Sequence, residues 1–424
     1  MTRLSAMTLI CAGLTVATMA GAASGQLDPT FGKGGIVITN FSNDVRPMDA
    51  ALQADGKLVV VGLVNDFKVA TQLTAVVRYL PNGSLDASFG RNGVATDAVT
   101  NFLNEADAVV IQSDGKIVVL ERAFSADGTV DESVLARFDS AGRLDASFGT
   151  TGRVFINFPH PAFFHTQGST LLLQPNQKIL VGGAVVAPGY HSTTPTRTAL
   201  ARYTPTGTPD GTFGTNGVAE ALAIGVPGAM AVLTDGSILA VNFSEQTAQF
   251  TATGALLPSV VGGVVTASTH PGTAAFRSDG EFLVAVRGQG PGGRHDADVS
   301  VRLLEPTGAV DPNFQPPLFD FATDAHFSSA AQAIALGPTG EIALGGSSLD
   351  AIFNADMAVA RLNPNGTLDG RFANGGTKTT PFPHGGQVLA IVVQPDGKIV
   401  AIGQAFSNDT AIPTNLALVR YLTQ

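Results

Sequence analysis

The sequence writes LDASFG at Leu85–Gly90 and again at Leu144–Gly149. A chain that repeats itself at a near-fixed period must fold as stacked copies of one unit. A second phrase keeps step with the first. It reads QADGKLVVVG from Gln53, QSDGKIVVL from Gln112, QPNQKILVGG from Gln174, LTDGSILAV from Leu233, RSDGEFLVAV from Arg277, GPTGEIALGG from Gly337 and QPDGKIVAIG from Gln394. Its turn residue falls at Asp55, Asp114, Asn176, Asp235, Asp279, Thr339 and Asp396, at spacings of 59, 62, 59, 44, 60 and 57 residues. A third phrase follows each time: VVRY, LARF, LARY, TAQF, SVRL, VARL and LVRY. The chain holds seven units.

Each unit converts to four strands. An apolar strand ends at the Gln, and Asp-Gly is the hairpin signal that leads into the next. That second strand, Leu58–Val64 in the first copy, is apolar throughout, which predicts burial on both faces. A loop of variable length leads to the Arg-aromatic strand, and a Pro-x-Gly turn such as Pro81-Asn82-Gly83 leads to the LDxSFGxxGxV strand. Four-stranded antiparallel units of this size predict an all-β, seven-bladed β-propeller. The expected repeats are 26–83, 84–142, 143–207, 208–254, 255–308, 309–366 and 367–424. QLDPTFGKGGIVI at Gln26–Ile38 is a fourth strand without the three before it, and LALVRYLTQ at the other end is a third strand without a fourth. The N-terminal strand is therefore expected to complete the seventh blade and close the ring. The fourth Arg strand and the phrase after it, GALLPSVVGGVV, lack Arg, Asp and Phe, where the spacing also shortens to 44 residues.

The pattern QxDGKIxVxG … LARYxxxGxLDxSFGxxGxV resembles the bacterial delta-60 repeat proteins, a propeller family with an NHL-like layout. The resemblance runs from Leu27 to Gln424 and departs from the pattern at the fourth-to-fifth junction. It implies a secreted or surface propeller and supplies no catalytic residues.

Residues 1–25 read as a signal peptide. Arg3 gives a short basic region, the apolar run from about Leu9 to Ala20 is too short for a bilayer span, and small residues follow. The exported chain is expected in the periplasm or outside the cell, with no membrane span. The single cysteine, Cys11, lies in that segment, so no disulfide or thiol chemistry is expected after cleavage. A net charge of −10 without a basic cluster argues against nucleic acid as a partner.

Repetition also separates scaffold from site. Arg78, Arg137, Arg202, Arg302, Arg361 and Arg420 recur unit after unit and are expected to make structural ion pairs. A site belongs among residues that differ between blades, on the face with the long loops. All seven histidines are expected there: His160, His165, His270, His326 and His384 in blade links, His191 and His295 in loops between the second and third strands. They are the candidate ligand-binding residues. His270, His326 and His384 with Asp324 are candidate ligands for a divalent transition metal, and Asp49, Glu105 and Asp107 are further carboxylates of the same ring. Asp127, Asp131 and Glu132, or Asp296 and Asp298, offer oxygen to calcium, although without the EF-hand pattern. GQGPGG at Gly288–Gly293 is followed by a strand, so it lacks the helix that a pyrophosphate site needs. There is no GxSxG or P-loop motif and no Trp.

The leading functional expectation is a monomeric binding or scaffold module for a protein, peptide or polysaccharide ligand. A metal-assisted hydrolase or lyase with imidazoles at the channel mouth is the alternative, and a structural envelope or matrix component is the third reading.

Overall fold

The computed structural model describes residues 23–41, 44–66, 71–99, 102–125, 131–156, 158, 165–186, 197–221, 224–242, 246–258, 274–277, 279–289, 297–321, 329–349, 355–408 and 414–423. The repeats fold as seven antiparallel sheets. Blade 1 holds β2 (Asp44–Leu52), β3 (Leu58–Asp66), β4 (Thr71–Tyr79) and β5 (Val94–Asp97). Blade 2 holds β6 (Leu103–Ile111), β7 (Ile117–Phe124), β8 (Asp131–Phe138) and β9 (Arg153–Ile156). Blade 3 holds β10 (His165–Leu173), β11 (Ile179–Val186), β12 (Arg197–Tyr203) and β13 (Val218–Ala221). Blade 4 is β14 (Pro227–Val232), β15 (Ile238–Asn242) and β16 (Thr247–Phe250), and blade 5 is β17 (Ala274–Phe276), β18 (Phe282–Gln289) and β19 (Ala297–Leu304). Blade 6 is β20 (Ser329–Leu336), β21 (Ile342–Leu349), β22 (Ala355–Leu362) and β23 (Thr377–Thr380). Blade 7 is β24 (Gly386–Val393), β25 (Ile399–Phe406) and β26 (Thr414–Tyr421), completed by β1 (Ile36–Thr39). Among the described residues blades 4 and 5 show three strands each, and in blade 5 the fourth position is marked by the single bridge Val299–Phe319.

The first strands β2, β6, β10, β14, β17, β20 and β24 each contact the next, and β24 contacts β2, so the inner strands form a closed circle. Second strands are buried along their length, as their unbroken apolar run requires: Leu58–Val64 contains no exposed residue. The outer strands β1, β5, β9, β13 and β23 are only four residues long, which keeps each free sheet edge short.

One three-residue staple recurs at the seams. Arg137 pairs with Asp145 at 2.9 Å, lies 4.6 Å over the Phe148 ring, and donates from Nη1 to the Pro205 carbonyl of the next blade at 2.6 Å. Arg202 does the same with Asp210, Phe213 and the Ala252 carbonyl, and Arg420 with Asp28, Phe31 and the Pro81 carbonyl. Arg78 pairs with Asp86 and stacks on Phe89. A lysine from the hairpin joins the aspartate in blades 1, 2, 3 and 7: Lys57, Lys116, Lys178 and Lys398. Burial would raise the Asp145 carboxyl, but Ser147, Arg137 and Lys116 together hold it down to about 2. The staple phenylalanines are buried, and each contributes roughly 1.5–3 kcal/mol of apolar transfer energy.

Closure reaches further into the N-terminal segment than its strand. β1 pairs with β26 from Ile36–Val419 to Thr39–Leu416. Upstream of it, Ser24 and Gly25 stand where the other blades place the middle of their Pro-x-Gly turn. Ala373 N–H donates to Ser24 O at 3.0 Å, as Gly32 N–H donates to Asn82 O and Gly90 N–H to Ala141 O. Gly25 N–H donates to Leu422 O and Leu422 N–H to Gln26 O, as Gly83 and Leu80 do within one continuous turn. Gly25 has φ +79°, matching +85° at Gly83, and a Cβ there would lie 2.3 Å from Ala373 N, so only glycine fits. The closing turn is thus split between residues 422–423 and 24–26.

Removing Leu27–Phe41 should lower Tm by at least about 10 °C or abolish soluble protein, and an unchanged Tm would refute this closure. A circular permutant that joins Thr423 to Ser24 and opens between Pro81 and Asn82 moves the same break to another blade. It should keep its β-sheet circular dichroism and melt cooperatively; loss of the cooperative transition would contradict the equivalence of the two turns.

Candidate functional site at the long-loop end of the channel

The inner strands share a feature with no sequence signature. In six of them the register to the second strand slips by one residue, between Pro47 and Asp49, Ala106 and Ala108, Gly168 and Thr170, Pro227 and Ala229, Ala331 and Ala333, and Val388 and Ala390. Such bulges re-aim side chains. The bulged residues are Met48, Asp107, Ser169, Gly228, Gln332 and Leu389, so blades with one backbone present six different residues at one place. Toward the hairpin face the same strands carry Ala50–Leu52, Val109–Ile111, Leu171–Leu173, Ile334–Leu336 and Ile391–Val393. Toward the long-loop face they carry Asp44, Arg46, Glu105 and Gln387. The inner wall is apolar at one end and polar and variable at the other.

These polar groups are braced from neighbouring strands. Gln72 donates to Glu105 Oε2 at 3.3 Å, and Arg122 lies 3.7 Å from Glu105 Oε1 and 5.5 Å over the Phe124 ring. Gln387 donates to Gln404 Oε1 at 3.0 Å, and Gln404 donates to the Val45 carbonyl at 3.0 Å across the closing seam. Thr414 hydrogen-bonds the Asp44 carboxylate at the same seam. Arg46 is exposed.

Asp49 sits just past the bulge of β2, where the other blades have Ala108, Thr170, Ala229, Ala333 and Ala390. Its carboxylate accepts from Val109 N–H of the neighbouring inner strand at 2.9 Å and from Ala50 N–H at 2.8 Å. Burial outweighs these two bonds and pushes the group up to about 6.

A second departure from the repeat lies inside the seam between blades 1 and 2. Opposite the bulge, the second strand carries Gly62, Gly346 or Gly403, where a Cβ would lie 2.0, 1.9 or 1.8 Å from an inner-strand carbonyl. Blade 2 has Glu121 at this place, opposite Ala106, and it is fully buried. Asp97 of β5, buried and paired with Arg153 of β9, lies beside it, with Thr74 of β4. Burial and then the Asp97 charge raise the Glu121 carboxyl well above its ordinary range, and Arg153 offsets this only in part. The arrangement sets two carboxyl groups against one guanidinium. The second strand of blade 2 reads IVVLERAF, an apolar run broken by Glu121 and Arg122, and only its alignment with the glycines of the other blades exposes the anomaly.

Of the candidate histidines, His384 is exposed in the link before β24. His165 begins β10 opposite Val186, so it belongs to a strand and not to the link, because the hairpin pairing continues to that residue. His160, His191, His270, His295 and His326, with Asp324, Asp127 and Asp296, lie outside the described residues. Asp131 starts β8, Glu132 follows it, and Asp298 lies on β19, so these acids are placed on strands. Among the described residues no group of three or more His, Cys, Asp or Glu side chains could hold a metal ion. Nor is any helix there long and apolar enough to cross a membrane.

Residues 53–89, 112–148, 174–213, 337–372 and 394–424 match the family described as "Domain of unknown function (DUF5122) beta-propeller". The chain is a β-propeller repeat protein. Each matched segment runs from the hairpin into the third strand, and four of the five continue to the staple phenylalanine. The stretch between 213 and 337 is unmatched, and it contains the two blades that show three strands. No curated protein sequence matches this propeller. Similar solved structures include "YCF48 bound to D1 peptide", at 13% identity over 96% of this chain and 100% of that one, with a TM-score of 0.49. Polysaccharide lyase Uly1 is 11% identical over 96% and 94%, with a TM-score of 0.47. The β-propeller domain of the Trilobed protease from Pyrococcus furiosus is 10% identical over 91% and 95%, with a TM-score of 0.43. At these values the likenesses carry no argument about activity.

Glu121 yields a pH test. Its carboxyl is raised in the fold above the ordinary value of about 4.5, so its contribution is most favourable below that value and is lost as pH rises toward the folded pKa. Glu121→Gln keeps the shape and fixes the neutral form. Relative to the parent, the variant should be unchanged near pH 4.5 and more stable at pH 7.5, by at least about 2 °C in Tm. An equal or lower Tm at pH 7.5 would show that Glu121 is ionised and satisfied in the fold.

Proposed function

We propose that this propeller is an exported binding module whose ligand docks at the long-loop end of the central channel. The observation that carries the reading is the division of labour along the inner strands. Residues common to the blades are consumed in holding seams, while one bulged backbone position carries a different residue in each of six blades, next to Arg46, Glu105 and Gln387. Variable groups on a rigid frame are what recognition needs. A peptide or protein with both charged and amide groups is the ligand class that this mixed wall favours, and an envelope polysaccharide is the second candidate of the same kind.

Binding to arrayed envelope peptides and polysaccharides should be lost at least tenfold in the paired variant Arg46→Glu with Gln387→Ala, with Tm within about 2 °C of the parent. Unchanged binding by that variant would remove the channel mouth from consideration.

The export reading draws support from the split turn, since among the described residues the first backbone hydrogen bonds to the ring come from Ser24 and Gly25, close to the expected cleavage point. Expressed with its full leader in a bacterium, the protein should be recovered outside the cytoplasm with an N-terminus within a few residues of Ser24, by intact mass. An uncleaved cytoplasmic product would refute export. The delta-60 resemblance fits the same reading.

A further inference from the structure

The polar end of the inner wall is not uniform around the ring. Two residues before the bulge, six blades carry Arg46, Glu105, Gln167, Val226, Ala330 and Gln387. Arg46 is the one cation in this set. It is exposed, and it has no hydrogen-bond or ion-pair partner among the described residues. The acids around it are already engaged. Glu105 is held by Gln72 and Arg122, and the Asp44 carboxylate by Thr414 and by Asn65 Nδ2 at 3.3 Å.

Strand alternation fixes which residues share a side with Arg46. Val45 and Pro47 are buried, Val45 in the core between blades 7 and 1, so Arg46 and Met48 stand on the opposite side of β2. In β24, Gly386 and Val388 are buried, and Gln387 and Leu389 take the corresponding side. Met48 and Leu389 are half-buried, yet among the described residues neither packs into a hydrophobic cluster. Ala50 and Val392, farther along the same strands, do pack into the core between the two blades. Each apolar residue lies two positions deeper than its polar neighbour, about 7 Å along the strand.

Hydrogen bonds tie the two strands together at this level. Gln387 Nε2 donates to Gln404 Oε1 at 3.0 Å, and Gln404 Nε2 donates to the Val45 carbonyl at 3.0 Å, one residue from Arg46. The amide nitrogen of Gln387 is thereby used, and its Oε1 remains as an acceptor. The wall therefore offers a planar fork of donors, one acceptor, and two apolar side chains below them. A carboxylate, an N–H and an aliphatic side chain meet on a single carbon in the last residue of a peptide. An internal aspartate or glutamate brings the carboxylate without the apolar branch, and a neutral sugar brings neither.

We propose that the channel mouth between blades 7 and 1 binds the C-terminus of a partner peptide that ends in an aliphatic residue. The α-carboxylate pairs with Arg46, the last backbone N–H donates to Gln387 Oε1, and the terminal side chain lies against Met48 and Leu389. This assignment rests on the channel-mouth reading above and narrows it to one kind of ligand end.

The probe is an array of random decapeptides made in two forms, with free C-terminal carboxylates and with C-terminal amides. Binders are expected in the free-acid form, with Leu, Ile, Val or Met at the last position. For the tightest of them, amidation should weaken Kd at least tenfold. Arg46→Gln, with Tm within about 2 °C of the parent, should weaken the acid by the same factor and leave the amide unaffected. Met48→Ala combined with Leu389→Ala should erase the preference for an aliphatic last residue. No binder in either form, amides bound as tightly as acids, or an acid preference retained in folded Arg46→Gln would each overturn the proposal. An aliphatic preference unchanged in the paired alanine variant would overturn it too. If amidated peptides or polysaccharides bind and are lost in Arg46→Glu with Gln387→Ala, docking at the mouth stands and the C-terminal assignment falls.

Discussion

A blade of this protein cannot stand alone, because its second and third strands are apolar on both faces. Val59, Val61, Val76 and Phe89 of blade 1 become buried only against Ile117, Val119, Ala136 and Phe138 of blade 2. Everything else follows from keeping such seams dry and in register. The guanidinium of the staple meets three needs at once. It neutralises a buried aspartate, covers a phenylalanine ring, and satisfies a turn carbonyl that the next blade leaves at the seam. A lysine could do the first of these but lacks the planar fork required for all three, which accounts for arginine at this place in six of the seven blades.

The architecture was legible in the sequence because each device that holds it uses residues with few substitutes. Asp-Gly marks a hairpin, Pro-x-Gly a turn, and the Arg, Asp and Phe of the staple recur together, so strand number, blade number and closure by the N-terminal strand could all be read from spacing. The inner-strand bulge could not. Met48, Asp107, Ser169, Gly228, Gln332 and Leu389 have no chemistry in common, because the bulge is a property of backbone register and any side chain can ride on it. Glu121 was hidden for a related reason. A single acid in an apolar strand looks like a solvent-facing residue until the structure shows that both faces of that strand are covered. The split turn was missed by two residues, since Ser24 and Gly25 look like the end of a leader and acquire meaning only beside Leu422 and Ala373.

The repeat gives each departure a built-in control. The glycine opposite the bulge shows what blade 2 gave up to accommodate Glu121, and the hairpin glutamine and lysine of four blades stand where blade 6 has Gly337 and Glu341. In a protein without repeats, a buried acid would have to be judged against general expectation. Here the comparison is internal, made on the same backbone in the same molecule, and it separates residues that maintain the ring from residues that have some other reason to be present.

The pattern of decay follows the covalent chain. The core between blades 4 and 5 is built from Leu239, Val241, Phe282, Val284 and Leu304, the smallest set among the seven seams as described, and Gln249 replaces the arginine there. Such a loss is tolerable because the polypeptide runs directly from one of these blades to the other, and the chain itself keeps them close. The break in the chain lies inside blade 7, where β26 and β1 meet at the split turn, and the chain runs on from β1 across the seam to β2 of blade 1. That seam retains the full staple of Arg420, Asp28 and Phe31, and it adds contacts of its own: Gln404 to the Val45 carbonyl and Thr414 to Asp44. In its final blade, Tyr421 also bonds Thr380 of blade 6 through its hydroxyl. The blade that carries the break keeps the full staple, while repeat character is lost in blades 4 and 5, whose strands follow one another along the chain.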